Sequence, residues 1–399
     1  MRRLLALALV WSLPACSRTK GEERPEAPSP RPPSAQETRP VEPETGGARC
    51  PPGPAAHALQ RAVGFYDAGD FEEAFACASL AATLGPGDPA AQSELGAALA
   101  ALGRYEAARL AYATALAYDP NLLDALLGSA ELYLMKLVPT RGYDELGLAY
   151  AARGRVEARR ADDRQLAGRF ALLEAVALNS LGQSTLALER ADEALAAAVE
   201  PIQARAERAF ALWELCRFEE AKGELEALLA FDEWEAVAHF QLGQLAERQG
   251  DLARAGSEMA LARVLDPERY PPELEVSTAA LDTLVRELVA GLPADMRRDL
   301  EQVDVATEEL PDLADLTAAQ PPLSPAIVGL FRGPPLGEPC SPKELEPGPC
   351  RAIRLYRKNL LRSVGSMEEL RRQVRITLVH EIGHLRGEDD LELVARGLE

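Results

Sequence analysis

The sequence predicts a mainly α fold, in which an array of paired helices, an α-solenoid, is followed by a small α+β domain. Three observations predict it. Small residues, turn glycines and prolines recur with a period of 34 residues between residues 55 and 270. After "LDPERYPP" that period stops, and "QVDVATEEL" and "RAIRLYRKNLL" show the alternation and β-branched or aromatic content of strands. The last helical stretch carries "RITLVHEIGHLRGEDD", residues 375–390, which holds two of the chain's 4 histidines.

At 399 residues the chain is long enough for two or three domains, each with its own interior. Its 43 Lys and Arg against 63 Asp and Glu give a net charge of -20, which repels phosphate backbones, so nucleic acid is excluded as an expected partner.

The chain opens with an address. Arg2 and Arg3 precede the apolar run "LLALALVWSL", too short to span a bilayer but suited to a signal peptide. "LPAC" puts Cys16 after Ala15, with Leu13 two positions before that alanine, and this resembles a bacterial lipoprotein box. The resemblance implies a lipoprotein signal peptide over residues 1–16, cut so that an acylated Cys16 stays on the mature chain, and Ser17 beside it implies an outer membrane, facing the periplasm. Pro14 departs from the box and leaves open ordinary cleavage to a soluble exported product. Residues 17–54 contain ten prolines and no aromatic, leucine or isoleucine. Such a stretch cannot bury enough apolar surface to order itself and reads as an extended tether.

Export into an oxidising compartment permits disulfides. Cys340 and Cys350 flank "SPKELEPGP", a loop rich in turn formers, and are the expected bridge. Cys77 and Cys216 read as small core residues within helices, and Cys50 carries no signal.

Aligning the repeats places a turn glycine at Gly69, Gly103, Gly182 and Gly250, with Cys216 in that place once. Alanine follows five residues later, at Ala74, Ala108, Ala187, Ala221 and Ala255, and small residues precede the turn at Ala62, Gly96, Ala175, Ala209 and Gly243. Antiparallel helices approach closely where small residues meet, the glycine reverses the chain, and Pro86, Pro120 and Pro267 end the second helix. One unit is 45 residues long, so eleven extra residues are expected around "LMKLVPTRGYDELG". The pattern resembles a tetratricopeptide repeat (TPR) array of six hairpins over residues 55–270, which implies a protein or peptide partner. His57 and His239 read as structural residues without a ligand partner.

From residue 274, "ALDTLVRELVAGL" supplies an apolar helical stripe, and "SMEEL" resembles a capping box opening the final helix at Ser366. In that helix His380, Glu381 and His384 form H-E-x-x-H. Residues four apart share a face, so both imidazoles can meet one metal ion, with Glu381 displaced toward a bound water as general base. A catalytic zinc needs a third protein ligand. Gly387 can turn the backbone back, and Asp390 completes H-E-x-x-H-x-x-G-x-x-D as the expected ligand, with Glu388, Asp389 and Glu392 as rivals.

Together with "IVGLFRGPPL" and "IRLYRKNLL", the stretch "EELRRQVRITLVHEIGH" resembles the small bacterial zincin-like metallopeptidases. The resemblance covers about residues 274–399. It implies a compact α+β domain, Zn2+ held by His380, His384 and Asp390, and Glu381 as general base. Leu385 and Arg386 stand where an aromatic residue and another histidine are frequent, which bears on the pocket edge. Nine residues follow Asp390, too few for the subdomain that walls the cleft in larger zincins. The strand around Ile353 to Tyr356 is a candidate to receive an extended peptide.

The resulting expectation is a membrane-tethered zinc peptidase whose repeats recruit a protein substrate. Its rival is a non-catalytic scaffold lipoprotein with a structural or degenerate metal site, and a further option has the repeats blocking the cleft until a partner binds.

Overall fold

A computed structural model describes residues 50–340 and 350–395 of the chain. The signal segment, Cys16 and the tether up to residue 49 lie outside the described residues. Described residues up to Ala177 belong to one compact unit and those from Leu178 to another.

Twelve helices follow one another: α1 (Ala55–Ala68), α2 (Phe71–Leu84), α3 (Pro89–Ala101), α4 (Tyr105–Tyr118), α5 (Leu123–Glu131), α6 (Arg141–Arg160), α7 (Arg164–Ser180), α8 (Ser184–Ala196), α9 (Pro201–Glu214), α10 (Phe218–Leu228), α11 (Asp232–Arg248) and α12 (Leu252–Leu265), and α1 packs with α2, α3 with α4, α5 with α6, α9 with α10 and α11 with α12. Every aligned turn position is left-handed: Gly69, Gly103, Gly182 and Gly250 have φ between 72° and 83°, and Cys216 has 56°. Glycine enters that region without steric cost, whereas a β-carbon crowds the backbone there. The recurring alanines are buried, and a β-carbon added to Gly96 would sit 2.7 Å from the Tyr112 ring, so the small residues set how closely paired helices approach.

The long unit does not loop out its extra residues. Leu132–Lys136 widens into a π-helical turn after α5, and most of the remainder lengthens α6 to 20 residues. Thr140 caps α6 by accepting the Tyr143 N–H, at 3.2 Å.

Cys77 is fully buried, and it is also bonded to Cys50 at 2.09 Å. The readings of Cys77 as merely a core residue and of Cys50 as uninformative are corrected, because the chain before α1 folds back onto α2. Cys340 and Cys350 are joined at 1.99 Å, and Cys216 is a free thiol. His57 is exposed on α1. His239 is not without a carboxylate partner: Glu258 on α12 lies 2.6 Å from its Nδ1, and Glu235, one turn before it, 3.7 Å from its Nε2.

Beyond the repeats come α13 (Thr278–Ala290), α14 (Ala294–Asp299), strand β1 (Asp304–Glu308), a short α15 (Leu313–Leu316), β2 (Gly329–Arg332), β3 (Ala352–Tyr356), α16 (Arg357–Arg362), α17 (Met367–Arg386) and α18 (Asp390–Ala395). Ser277 caps α13, whose Leu281, Leu284, Val285 and Leu288 are buried at helical spacing. Only the first half of "RAIRLYRKNLL" is strand; the rest turns into α16.

The sheet order is β1-β3-β2, with β1 parallel and β2 antiparallel to β3. Both edges of β3 are therefore occupied, and the Ile353–Tyr356 strand has no free edge for a peptide. The strand next to the H-E-x-x-H helix is β2. Helices α13 and α17 pack against each other and the sheet around a core that includes Leu281, Leu288, Ile353, Leu355, Val374, Leu378 and Ile382. No helix among the described residues is long and apolar enough to cross a membrane.

Candidate metal centre

Helix α17 starts where Ser366 Oγ accepts the Glu369 N–H at 3.2 Å while the Glu369 carboxylate accepts the Gly365 N–H at 2.7 Å. Its Leu370, Val374, Leu378, Ile382 and Leu385 are buried, which fixes the rotation of the helix and presents His380 and His384 on a different face. The helix ends at Gly387, φ 89°, whose N–H returns to the His384 carbonyl. The chain then doubles back into α18.

This reversal brings Asp390 to the imidazoles. His380 Nε2 and His384 Nε2 are 3.0 Å apart, and Asp390 Oδ1 lies 3.6 Å and 3.2 Å from them respectively. Tetrahedral zinc with bonds of about 2.0–2.1 Å has donor–donor edges of about 3.3 Å, so the three electron-pair donors fit that ion. Among the described residues these three form the one cluster whose donor atoms lie within 4.8 Å of one another.

The supporting bonds fix which atoms face inward. His384 Nδ1 lies 3.0 Å from the Glu388 carbonyl oxygen, so it is the protonated nitrogen and Nε2 keeps its lone pair. Two of the rival acids have other tasks. Asp389 accepts the Glu392 N–H at 2.9 Å, and Glu392 accepts the Asp389 N–H at 3.0 Å, a reciprocal cap that starts α18. That D-x-x-E spacing was the sequence signal that separates Asp390 from Asp389 and Glu392.

Glu381 lies one residue round the helix and is 6% exposed. Burial, with a smaller contribution from the Asp390 charge, pushes its carboxyl up to about 8, against the opposing pull of the Phe331 N–H that it accepts. Strand β2 rides close to this carboxylate. A β-carbon at Gly329 would lie 2.4 Å from Thr377 Cγ2 and 2.9 Å from Glu381 Oε1, so only glycine allows the approach. Asn359, which the sequence gave no reason to single out, is buried in α16; its amide donates to the Pro325 and Ile327 carbonyls at 2.9 Å and 2.7 Å and pins the segment that leads into β2.

His380 and Glu381 open onto a cavity of about 450 Å³ within the unit that begins at Leu178. Several of its lining residues come from α9 and α11. Sequence reasoning named the three side chains that converge, as candidate ligands, but missed this wall, which is assembled from residues far from the motif.

Among solved structures, one described as a functional characterisation of Pseudomonas aeruginosa pilF is 16% identical, covers 54% of this chain and 94% of its own, and has a TM-score of 0.45. PilW, described as a widely conserved type IV pilus biogenesis factor, is 16% identical over 54% of this chain and 94% of its own, with a TM-score of 0.44. YrrB, described as a TPR protein with an unusual peptide-binding site, is 19% identical over 48% of this chain and 93% of its own, with a TM-score of 0.39. No curated protein matches the chain. Residues 300–398 match the family model described as zincin-like metallopeptidase. The repeated helical hairpins are TPR-like, and the C-terminal region is similar to zincin-like metallopeptidases over residues 300–398.

Proposed function

We propose that the protein is a zinc-dependent peptidase, with the repeat array recruiting the protein or peptide to be cut. The convergence of His380 Nε2, His384 Nε2 and Asp390 Oδ1 beside the buried Glu381 carries this reading. Zinc held by those three residues would supply a Lewis acid that polarises the scissile carbonyl and acidifies water. The chain's own groups do the rest. Glu381 takes the proton from the attacking water and passes it to the leaving amine. The Glu388 carbonyl holds the His384 ring in its ligating tautomer, and the Phe331 N–H hydrogen-bonds the Glu381 carboxylate.

Elemental analysis and peptide cleavage together test it. Glu381→Gln is expected to keep stoichiometric zinc and lose turnover, whereas His380→Ala is expected to lose both. Undiminished cleavage by Glu381→Gln would overturn the reading. A metal required for stability in a protein that cuts nothing would favour the scaffold instead.

The same proposal places the protein at the cell envelope, anchored by lipid on Cys16. The "LPAC" stretch supports this reading. Replacing Cys16 with alanine is then expected to move the protein from the membrane fraction to the soluble one.

A further inference from the structure

The cavity beside Glu381 has walls from two parts of the chain. One is the zincin-like part, with Ile376 and Thr377 on α17 and Val328 before β2. The other comes from the last repeats: Phe210 and Trp213 are one turn apart on α9, and Trp234, Val237 and Gln241 recur on one face of α11.

These walls are held together. Glu247 on α11 pairs with Arg362 on α16 and lies 3.1 Å from Lys358 Nζ, and Arg362 Nε is also 3.2 Å from Glu273. Arg248 donates to the Pro311 carbonyl at 2.8 Å. The opening onto Glu381 is therefore shaped by repeat helices locked in place.

The chemistry of the lining narrows what can enter. Its surface is mostly aromatic and aliphatic, and its charged and polar groups are largely committed within the protein. Arg362 is paired with Glu247 and Glu273, Glu207 accepts the Asn179 amide at 2.8 Å, and Asn359 serves two carbonyls. A charged ligand group would lose its water without gaining a partner. By contrast, the side-chain amides of Gln241, Gln244 and Gln373 have no hydrogen-bond partner among the described residues, so each offers a donor and an acceptor to a main chain. The volume is in the range of small-ligand sites, enough for a short peptide segment.

We infer that this cavity is the subsite for a large apolar or aromatic side chain of the peptide beside the bond to be cut, and that α9 and α11 set this preference. The inference rests on the peptidase reading. It identifies the last two hairpins as one wall of the cleft beside Glu381.

The test uses zinc-loaded full-length protein carrying Glu381→Gln, so that binding is read without turnover. The probes are fluorescein-labelled, end-blocked pentapeptides of alanine with Phe, Ala, Lys or Glu at the centre, titrated by fluorescence polarisation. The Phe peptide is expected to bind at least tenfold tighter than the other three. Filling the cavity by Val237→Phe or by Gln241→Phe, each checked by circular dichroism and zinc content, is expected to erase that preference; using two positions guards against one variant failing to fold. Equal Kd values for all four peptides, or a preference that survives both fillings in folded protein, would overturn the inference. Cleavage by the protein with Glu381 intact separates the two readings. If the Phe peptide binds with this preference but no peptide is cut, the subsite stands and the peptidase reading fails. If all four are cut alike and the fillings change nothing, the peptidase stands and the subsite fails.

Discussion

Glu247 on α11 and Arg362 on α16 form a buried ion pair across 115 residues of sequence, with only 6% and 11% of their side chains exposed. Removing one partner of such a pair strands the other charge away from water. Glu247→Ala, which leaves Arg362 with Glu273 alone and Lys358 without this carboxylate, is expected to cost about 1–3 kcal/mol of unfolding free energy, measured by urea titration. Zinc stoichiometry is expected to persist, because no ligand sits on α11.

Gly329→Ala tests the approach of β2 to α17. Its new methyl would meet Thr377 and the Glu381 carboxylate, so strand or carboxylate must shift. A misplaced general base is expected to lower kcat/KM by at least tenfold with zinc still bound. Normal turnover would show that the Glu381 position is not critical.

Burial pushes both Glu207 and Glu214 up to about 7, from an ordinary carboxyl value of 4.5. Both folded-state values lie above the unfolded ones, so the native state binds more protons and stability falls as pH rises from about 4.5 to about 7, then levels off. Glu207→Gln, which can still accept the Asn179 amide, is expected to flatten part of that slope. It should stabilise the protein at pH 8 by about 1–3 kcal/mol and leave pH 4 nearly unchanged, as read from thermal or denaturant midpoints.

The Cys50–Cys77 bond closes a loop with a sequence separation of 27. Chain-entropy arguments assign such a crosslink about 3–4 kcal/mol. Cys50→Ser is expected to lower the unfolding free energy of the unit containing α1 and α2 by that amount, and the same loss should follow reduction of the wild type.

Local requirements were legible in the sequence. A left-handed turn demands glycine, and repeat phase alone placed Cys216 in that conformation. The two histidines were legible because one helix carries both and fixes their spacing. The third candidate ligand was harder, since four acids crowd the turn after Gly387, and the pairing of Asp389 with Glu392 occupies two of them. Non-local facts were not legible. The central place of β3 depends on partners about 50 residues before it and about 20 before it. Eleven extra residues read as an insertion, yet helix propensity and a π turn absorbed most of them. The cavity wall on α11 looks in sequence like the ordinary face of a repeat helix.

The span between Glu247 and Arg362 also bears on timing. Closing so long a stretch of chain is an entropically late event in folding. A polypeptide that has just emerged can form its early hairpins from neighbouring residues alone, but the cleft beside Glu381 has no second side until the final segments dock. Whatever enters beside Glu381 therefore meets both walls only after segments far apart in the chain have come together.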